Sequence, residues 1–481
     1  MRTVGWVLVA ALVAGILGIA GRRGRVDPLA PVADGIGGTV AFVDANVLPM
    51  EDERVLEGYT VIVEGGVITG LAPSEQLAPP AGATVIDAAG RYLIPSFADV
   101  HVHLGGRSWD AIVAFGDSSG FPDAAVEREL YLYLAHGVTL VECLSAAPEH
   151  IELREEIRRG DRLGPQLVLA RMIDGPGSGW PPPISDWVST PAEARRAVER
   201  AAASGYDRIK VYSYLSRESY AAVMAAAAEF GLPVDGHLPF SVSLSEAIAA
   251  GQRSIAHAQE LVRAIEPATG DGIVEVVRML VEHGVWLTPT LAAARAVQSV
   301  LSDPGAALGV EEGRYLSAAT HAIWRALADR MNRQISSETQ AALDEAIAAV
   351  LGPLTVSFAQ AGGRFLIGTD AMLPGVVPGA SVHTELEALV AAGVAPCDAL
   401  RAATSSPREF LGQGAGTITI GARLDLVMLG GDPLQTISHT REIDGVLVGG
   451  RWIPRSEIED ELDAMAEAGA VSVGADHPDD I

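Results

Sequence analysis

The sequence predicts an α/β protein: a (β/α)8, TIM-like barrel flanked by a small β-sandwich built from both ends of the chain. Three observations predict it. The middle of the chain alternates short apolar runs with Ala-rich helical stretches, the rhythm of a parallel sheet. Runs rich in β-branched residues, separated by Gly turns, occur near both ends. A length of 481 residues, 49% hydrophobic and 20% charged, suits a chain that one barrel can largely absorb.

The elements follow in order. Val4 to Ala20 is an apolar run of ~17 residues between Arg2 and the cluster Arg22, Arg23 and Arg25. Residues 1–20 therefore read as a secretory signal peptide or an uncleaved membrane anchor, and 21–38 as a linker. The remainder is expected outside the cytoplasm, secreted or periplasmic, with the membrane a partner only through that first segment. Strands are predicted at Thr39–Val43, Thr60–Val63, Val67–Leu71 and Thr84–Asp87, parted by Glu64-Gly65-Gly66 and Ala88-Ala89-Gly90. These form the first part of the sandwich, 39–94.

The barrel, 95–411, has candidate strands at Pro95–Val102, Thr139–Leu144, Gln166–Ala170, Asp207–Val211, Pro233–Gly236, Ser254–Ala256, Trp286–Thr288 and Arg364–Ile367. Helices such as Pro191–Ala203 and Arg217–Phe230 lie between them. An insertion from Pro289 to Gly363, helical around Arg314 to Asn332, is expected to act as a lid or a partner surface. Thr417–Ile420, Asp425–Leu429 and Gly445–Val448 supply the second part of the sandwich, 412–455. Residues 456–481 are an acidic tail, expected as a solvated helix with a frayed end.

Composition narrows the function. A formal charge of −27 argues against nucleic acid and anionic membrane surfaces, which need a basic footprint. Two cysteines, Cys143 and Cys397, leave neither a disulfide framework nor a thiolate zinc cluster. Of the 34 basic residues, one alone is a lysine, Lys210. Chance survival accounts for it as well as function does, but a lysine can become a neutral nucleophilic amine and an arginine cannot.

Barrel enzymes carry their working groups at the C-terminal ends of the strands. Here those ends read His101 and His103, then Lys210, His237, His257 and Asp370. Two residues apart on a strand, His101 and His103 face the same side and can grip one ion. Imidazoles and a carboxylate without a thiolate suit Zn²⁺ and tolerate Mn²⁺ or Fe²⁺. Each residue has a bland reading: a chance His pair, a helix cap at Asp370, a core histidine at 257. Their joint placement at successive strand ends favours the metal site. His136, His150, His283, His321 and His439 read as structural or exposed, and His383 as a helix-face residue rather than a neighbour of the site.

Lys210, out of water and beside cations, should lose its proton and add CO2. The resulting carbamate can bridge two ions; a Schiff-base lysine is the competing reading. Two ions together acidify a bridging water to hydroxide and polarise a carbonyl. Asp370 is placed to take that water's proton and return it to a leaving amine.

These residues resemble the amidohydrolase superfamily, in the branch related to imidazolonepropionase and the metal-dependent Xaa-Pro dipeptidases. The motifs are Ile94-Pro-Ser-Phe-Ala-Asp-Val-His-Val-His-Leu104, Gly137-Val-Thr139, Gly205-Tyr-Asp-Arg-Ile-Lys-Val-Tyr212, Gly236-His-Leu-Pro239, Ser254-Ile-Ala-His257 and Ile367-Gly-Thr-Asp370. Ala402-Ala-Thr404 and Leu424-Asp-Leu-Val-Met-Leu-Gly-Gly-Asp-Pro-Leu434 continue the series. The resemblance implies a first ion on His101 and His103 and a second on His237 and His257. It also implies a carbamylated Lys210 between them, and Asp370 on the first ion as acid and base. Lys210 sets the chain apart from the one-metal imidazolonepropionases. Two departures stand out: Glu142 where relatives carry arginine, with a consequence for the charge the pocket accepts, and Ala256 where a glutamate commonly supports the next histidine.

The expected function is hydrolysis of an amide C–N bond in a small molecule, with dipeptides, N-acyl amino acids or cyclic amides as candidates. The alternatives are an esterase, lactonase or phosphotriesterase on the same site, and a non-catalytic metal-bearing scaffold. A homo-oligomer is expected. Specificity would come from the strand-end loops, notably Met172–Val188, and from the insertion before strand eight; Trp180 and Tyr212 are candidate pocket residues, although core packing is the commoner role for either aromatic.

Overall fold

The computed structural model describes residues 38–106, 123–265, 271–303, 305 and 308–473. The segment read as a signal or anchor lies outside them, as does nearly all of the linker. The chain opens with β1 (Thr39–Val47), β2 (Leu56–Glu64), β3 (Val67–Pro73), β4 (Thr84–Asp87) and β5 (Tyr92–Pro95). The barrel region follows with β6 (Phe97–Val102), β7 (Val138–Cys143), β8 (Gln166–Asp174), β9 (Ser185–Trp187), β10 (Arg208–Val211), β11 (Val234–Gly236), β12 (Ser254–Ala256) and β13 (Trp286–Thr288). Then β14 (Leu426–Leu429), β15 (Ile443–Val448) and β16 (Arg451–Pro454) return to the start.

Both ends of the chain meet in a single eight-stranded sheet, ordered β16-β15-β14-β5-β1-β2-β3 with β4 also beside β1. Asp44, at φ 56°, interrupts β1. On one side of it Val40–Val43 pair with β4, and on the other Asn46 and Val47 pair with β5. Phe42 meets Trp452 of β16 edge to face at 5.2 Å. One apolar cluster thus draws on both arms of the sheet, including Val61, Ile68, Leu93, Leu426 and Leu447. The expected strand at Thr417–Ile420 is absent, and only the Ile418 N–H reaches the Pro49 carbonyl. Glycines 416 and 421, both at positive φ, bracket it and turn the chain out of extended geometry.

The barrel strands β6-β7-β8-β10-β11 pair in parallel, and β12-β13 form a separate parallel pair. The named strands therefore make a half-barrel. Main-chain hydrogen bonds continue beyond it: Arg253 N–H to Val234 O at 3.0 Å, Leu287 N–H to Arg364 O at 3.0 Å, and Val100 N–H to Ile367 O at 2.9 Å. The expected strand Arg364–Ile367 is thus reduced to an isolated bridge at Phe365, with another beyond it at Ala371, rather than a ladder. The left-handed backbone of Asp370 and Met372, φ 61° and 95°, breaks its regularity where Asp370 is presented.

The helices obey local rules. Pro191–Ser204 opens on a Thr190–Glu193 capping box and closes on left-handed Gly205. Its buried face, Ala194, Ala197, Val198 and Ala201, has helical spacing against the sheet. One end of the barrel is filled by Val100, Leu140, Val168, Trp286, Leu366 and Phe410. The insertion folds as helices Leu291–Ser302, Ala318–Gln334, Ser337–Ala346 and Gly352–Gln360. Its Ile323, Trp324, Leu354 and Phe358 are fully buried, so much of it is core. The tail corrects its expectation. Residues Arg455–Val473 form a helix that buries Ile458 and Met465, and Arg128 donates to the Met465 carbonyl at 2.9 Å.

Candidate metal centre

Asp99, His101 and His103 share one face of β6 and its continuation, as a two-residue period requires. Asp99 is fully buried and accepts from the Thr369 N–H at 3.0 Å and the Thr369 hydroxyl at 2.6 Å. This joins β6 to the segment that carries Asp370. Between them, a Cβ on Gly368 would lie 2.5 Å from His101 Cβ and 2.4 Å from Thr288 Cγ2, so only glycine permits the approach. Asp370 then brings Oδ1 to 2.8 Å from His103 Nε2 and 3.3 Å from His101 Nε2.

Lys210 rises from β10 with Nζ 3.1 Å from His101 Nε2. Beside it Gly236, at φ 120°, leaves room that a Cβ 2.8 Å from Lys210 Cγ would close. His237 and His257 follow β11 and β12. The His257 ring lies 4.5 Å from that of His101 and 4.8 Å from that of His237. His257 Nε2 is 4.0 Å from Asp370 Oδ2. All six expected residues therefore converge. His101, His257 and Asp370 are the tightest set, with one ligand atom of each within 4.8 Å of the others. His103 joins through Asp370, Lys210 through His101, and His237 stands on the far side of His257.

The electrostatics favour neutral donors. Burial, with the Lys210 charge, holds His101 and His237 well below the usual imidazole range, and burial takes His257 down to about 3. Burial pushes the Lys210 amine down to about 8. For Asp370 burial opposes ionisation, but the imidazoles of His101 and His257 prevail and hold it well below the carboxylate range. Two buried nitrogens here, His101 Nδ1 and His237 Nε2, have no hydrogen-bond partner. The orphaned His237 Nε2, in a cluster of four histidines and a carboxylate where His101 already turns Nε2 to Lys210 and Asp370, fits a divalent ion.

The other ring nitrogens are held from behind. Ser145 Oγ lies 2.6 Å from His103 Nδ1, Ser213 Oγ 3.0 Å from His237 Nδ1, and Thr290 Oγ1 2.8 Å from His257 Nδ1. Glu260 Oε1 also approaches His237 Nδ1, at 3.3 Å. Sequence reasoning missed all four of these residues. Their one signal was position: each lies two to four residues past a strand end or a ligand. Thr290 also answers the Ala256 departure, since it supports His257 without a glutamate.

Glu142 does not line the pocket. It is buried one layer below Lys210, in an ion pair with Arg208 at 2.9 Å whose angle does not make a hydrogen bond. Trp180 and Tyr212 stand at the site and remain half-buried. The indole N–H of Trp180 donates to the Tyr212 hydroxyl at 3.1 Å, and its ring stacks over His103 at 6.3 Å. The Tyr212 ring packs on His237 at 3.9 Å. His383 keeps to its helix face, 3.1 Å from the His136 carbonyl. Of the remaining histidines, His150 is buried on the Gly105 carbonyl, His321 and His439 meet main-chain carbonyls, and His283 is exposed.

Fold and site together define a parallel-strand half-barrel with a histidine-rich centre able to hold a metal ion. The amidohydrolase family model matches residues 92–453, and the chain belongs to that family. It is similar to the adenine deaminase of Rubrobacter xylanophilus, 33% identical over 116 residues, which is 21% of this chain and 19% of that protein. The chain spans less than a fifth of the length of the curated relatives it matches. Among solved structures, a bottromycin amidohydrolase is 25% identical with a TM-score of 0.68, covering 90% of each chain. A Xaa-Pro dipeptidase with bound methionine, 19% identical and covering 87% of this chain and 100% of its own, shares the fold at a TM-score of 0.66.

Proposed function

We propose that this chain is a metal-dependent hydrolase of amide C–N bonds in small molecules. The carrying observation is the convergence of four imidazoles and the Asp370 carboxylate around a buried lysine with a depressed pKa. His101 and His103 would hold one divalent ion and His237 and His257 a second, with Zn²⁺ favoured by the donor set. Bound there, the ions would acidify a water and polarise the scissile carbonyl.

The chain's own residues do the rest. The neutral Lys210 amine forms a bond from Nζ to the carbon of CO2 and releases one proton, leaving an anionic carbamate between the two histidine pairs. Asp370 would help to hold the first ion, and its carboxylate takes a proton from the attacking water and delivers it to the leaving nitrogen. Tyr212 and Trp180 border the substrate's entry. The likeness to a bottromycin amidohydrolase supports an amide over an ester.

The same reading covers the architecture. The hydrogen bonds beyond the half-barrel support an eight-strand closure for 95–411, and the Phe42–Trp452 contact supports a sandwich from 39–94 and 412–455. Residues 1–20 would export or anchor the chain, 21–38 link it and 456–481 follow, with the protein acting outside the cytoplasm as a homo-oligomer.

The test uses the single lysine. Protein equilibrated with ¹³C-bicarbonate should give a carbamate resonance that is lost in Lys210→Arg, and metal analysis should find about two ions per chain. An amide and dipeptide panel then identifies substrates. One ion without a carbamate signal would reduce the site to a mononuclear one. Absence of metal would overturn the proposal, and cleavage of esters alone would move it to the esterase class.

A further inference from the structure

Helix Leu291–Ser302 begins in an unusual way. Thr290 occupies its N-cap position, where a threonine hydroxyl ordinarily accepts from a free N–H of the first turn. Here that hydroxyl makes no cap bond and is instead 2.8 Å from Nδ1 of His257. The backbone of Thr290 is left-handed, φ 53° and ψ 46°, costly for a β-branched residue. The abandoned N–H groups are satisfied from elsewhere. Glu385, fully buried on the helix Ala380–Ala392, accepts from Leu291 at 2.9 Å and from Ala292 at 2.6 Å.

We propose that Glu385 is a positioning residue for His257, capping helix Leu291–Ser302 in place of Thr290 and so releasing the Thr290 hydroxyl to hold the imidazole. The assignment rests on the metal-centre reading above. A hydroxyl accepting from Nδ1–H fixes the tautomer that leaves Nε2 unprotonated, its lone pair available to an ion. Without Glu385, Thr290 has two ways to satisfy its surroundings, and capping its own helix draws its oxygen away from His257. The helix is also the root of the insertion, so the orientation of those helices and the orientation of His257 depend on one carboxylate.

The experiment compares Glu385→Ala, Glu385→Gln, Thr290→Val and the double variant Glu385→Ala/Thr290→Val in the full chain. Zinc affinity is read by chelator competition and ligand geometry by the visible spectrum of the cobalt-loaded protein. Glu385→Ala and Thr290→Val are each expected to weaken zinc by ~10–100-fold with matching cobalt band shifts. The double variant should be no worse than either single one, because both break the same link. Glu385→Gln, which keeps one acceptor, should recover part of the affinity. A lowered Tm with unchanged zinc affinity and spectrum, or additive losses in the double variant, would overturn the assignment. If Glu385→Ala does not fold, Glu385→Gln and Thr290→Val decide on the same readouts. Wild-type protein that binds no metal would instead overturn the underlying metal-centre reading, and this assignment with it.

Discussion

Glu142 and Arg208 form a buried ion pair at 2.9 Å, one layer beneath Lys210 inside the barrel. The guanidinium also donates to Asp235 on the next strand at 2.7 Å and lies 4.4 Å over the Phe410 ring. Two acids on strands to either side of β10, Asp235 on adjacent β11 and Glu142 on β7 across β8, thus share one cation. Removing that cation should cost far more than removing one acid. Arg208→Met, which strands both carboxylates, is expected to lose ~3–5 kcal/mol, and Glu142→Gln about 1 kcal/mol. Urea unfolding measures both. Equal midpoints for the two variants would mean that Arg208 does not balance the pair.

Lys210 is fully buried, and an uncompensated ammonium there is expensive. Lys210→Met should therefore leave Tm unchanged or raise it in metal-free protein. Lys210→Arg keeps a permanent cation that cannot add CO2. Both variants should lose at least ~100-fold in turnover of any amide substrate found. The pair separates stability from chemistry: a variant that unfolds cannot report on turnover, whereas Lys210→Met is expected to stay folded.

The Trp180 indole bridges the Tyr212 hydroxyl and the face of His103. Trp180→Phe keeps a ring over the histidine and deletes the N–H, so it tests the mouth without disturbing the centre. KM should rise several-fold while kcat changes less than about twofold, the pattern of lost ground-state binding. A fall in kcat at constant KM would place Trp180 in the reaction itself.

Much of this site was legible because its ligands obey two short-range rules. A period of two puts His101 and His103 on one face, and strand ends supply the other donors. Ser254–Ala256 and Trp286–Thr288 coincide with the strands expected. The supporting residues were not legible, because Thr290 reaches His257 across 33 positions and Ser145 reaches His103 across 42. No local pattern marks a serine or threonine for such a contact. The docked C-terminal helix was hidden in the same way: its acidic composition masked Ile458 and Met465, whose seven-residue spacing suits one buried face. Glu142 misled because a charge near a strand end looks like a pocket charge until its partner strand is known.

Opposed pH limbs should shape stability. Glu129 is buried, with Oε2 accepting from the Gly105 N–H at 2.9 Å and Oε1 without a partner. Burial raises its pKa from 4.5 to about 8. The folded state therefore holds a proton that the unfolded chain releases, and the stability Glu129 contributes below pH 4.5 is lost as pH rises through 8. Buried His150 and His383 act in the opposite sense. Burial lowers both from 6.5, so what they contribute above that pH is lost as it falls. Tm of metal-free protein should accordingly peak near neutrality and decline on either side. Glu129→Gln keeps the shape and removes the ionisation. Its Tm relative to wild type should rise from about pH 5 to about pH 8 and level off above that, with no gain at pH 4. Parallel curves for the two proteins across that range would show that Glu129 ionises in the folded state without cost, and the alkaline limb would then belong to another group.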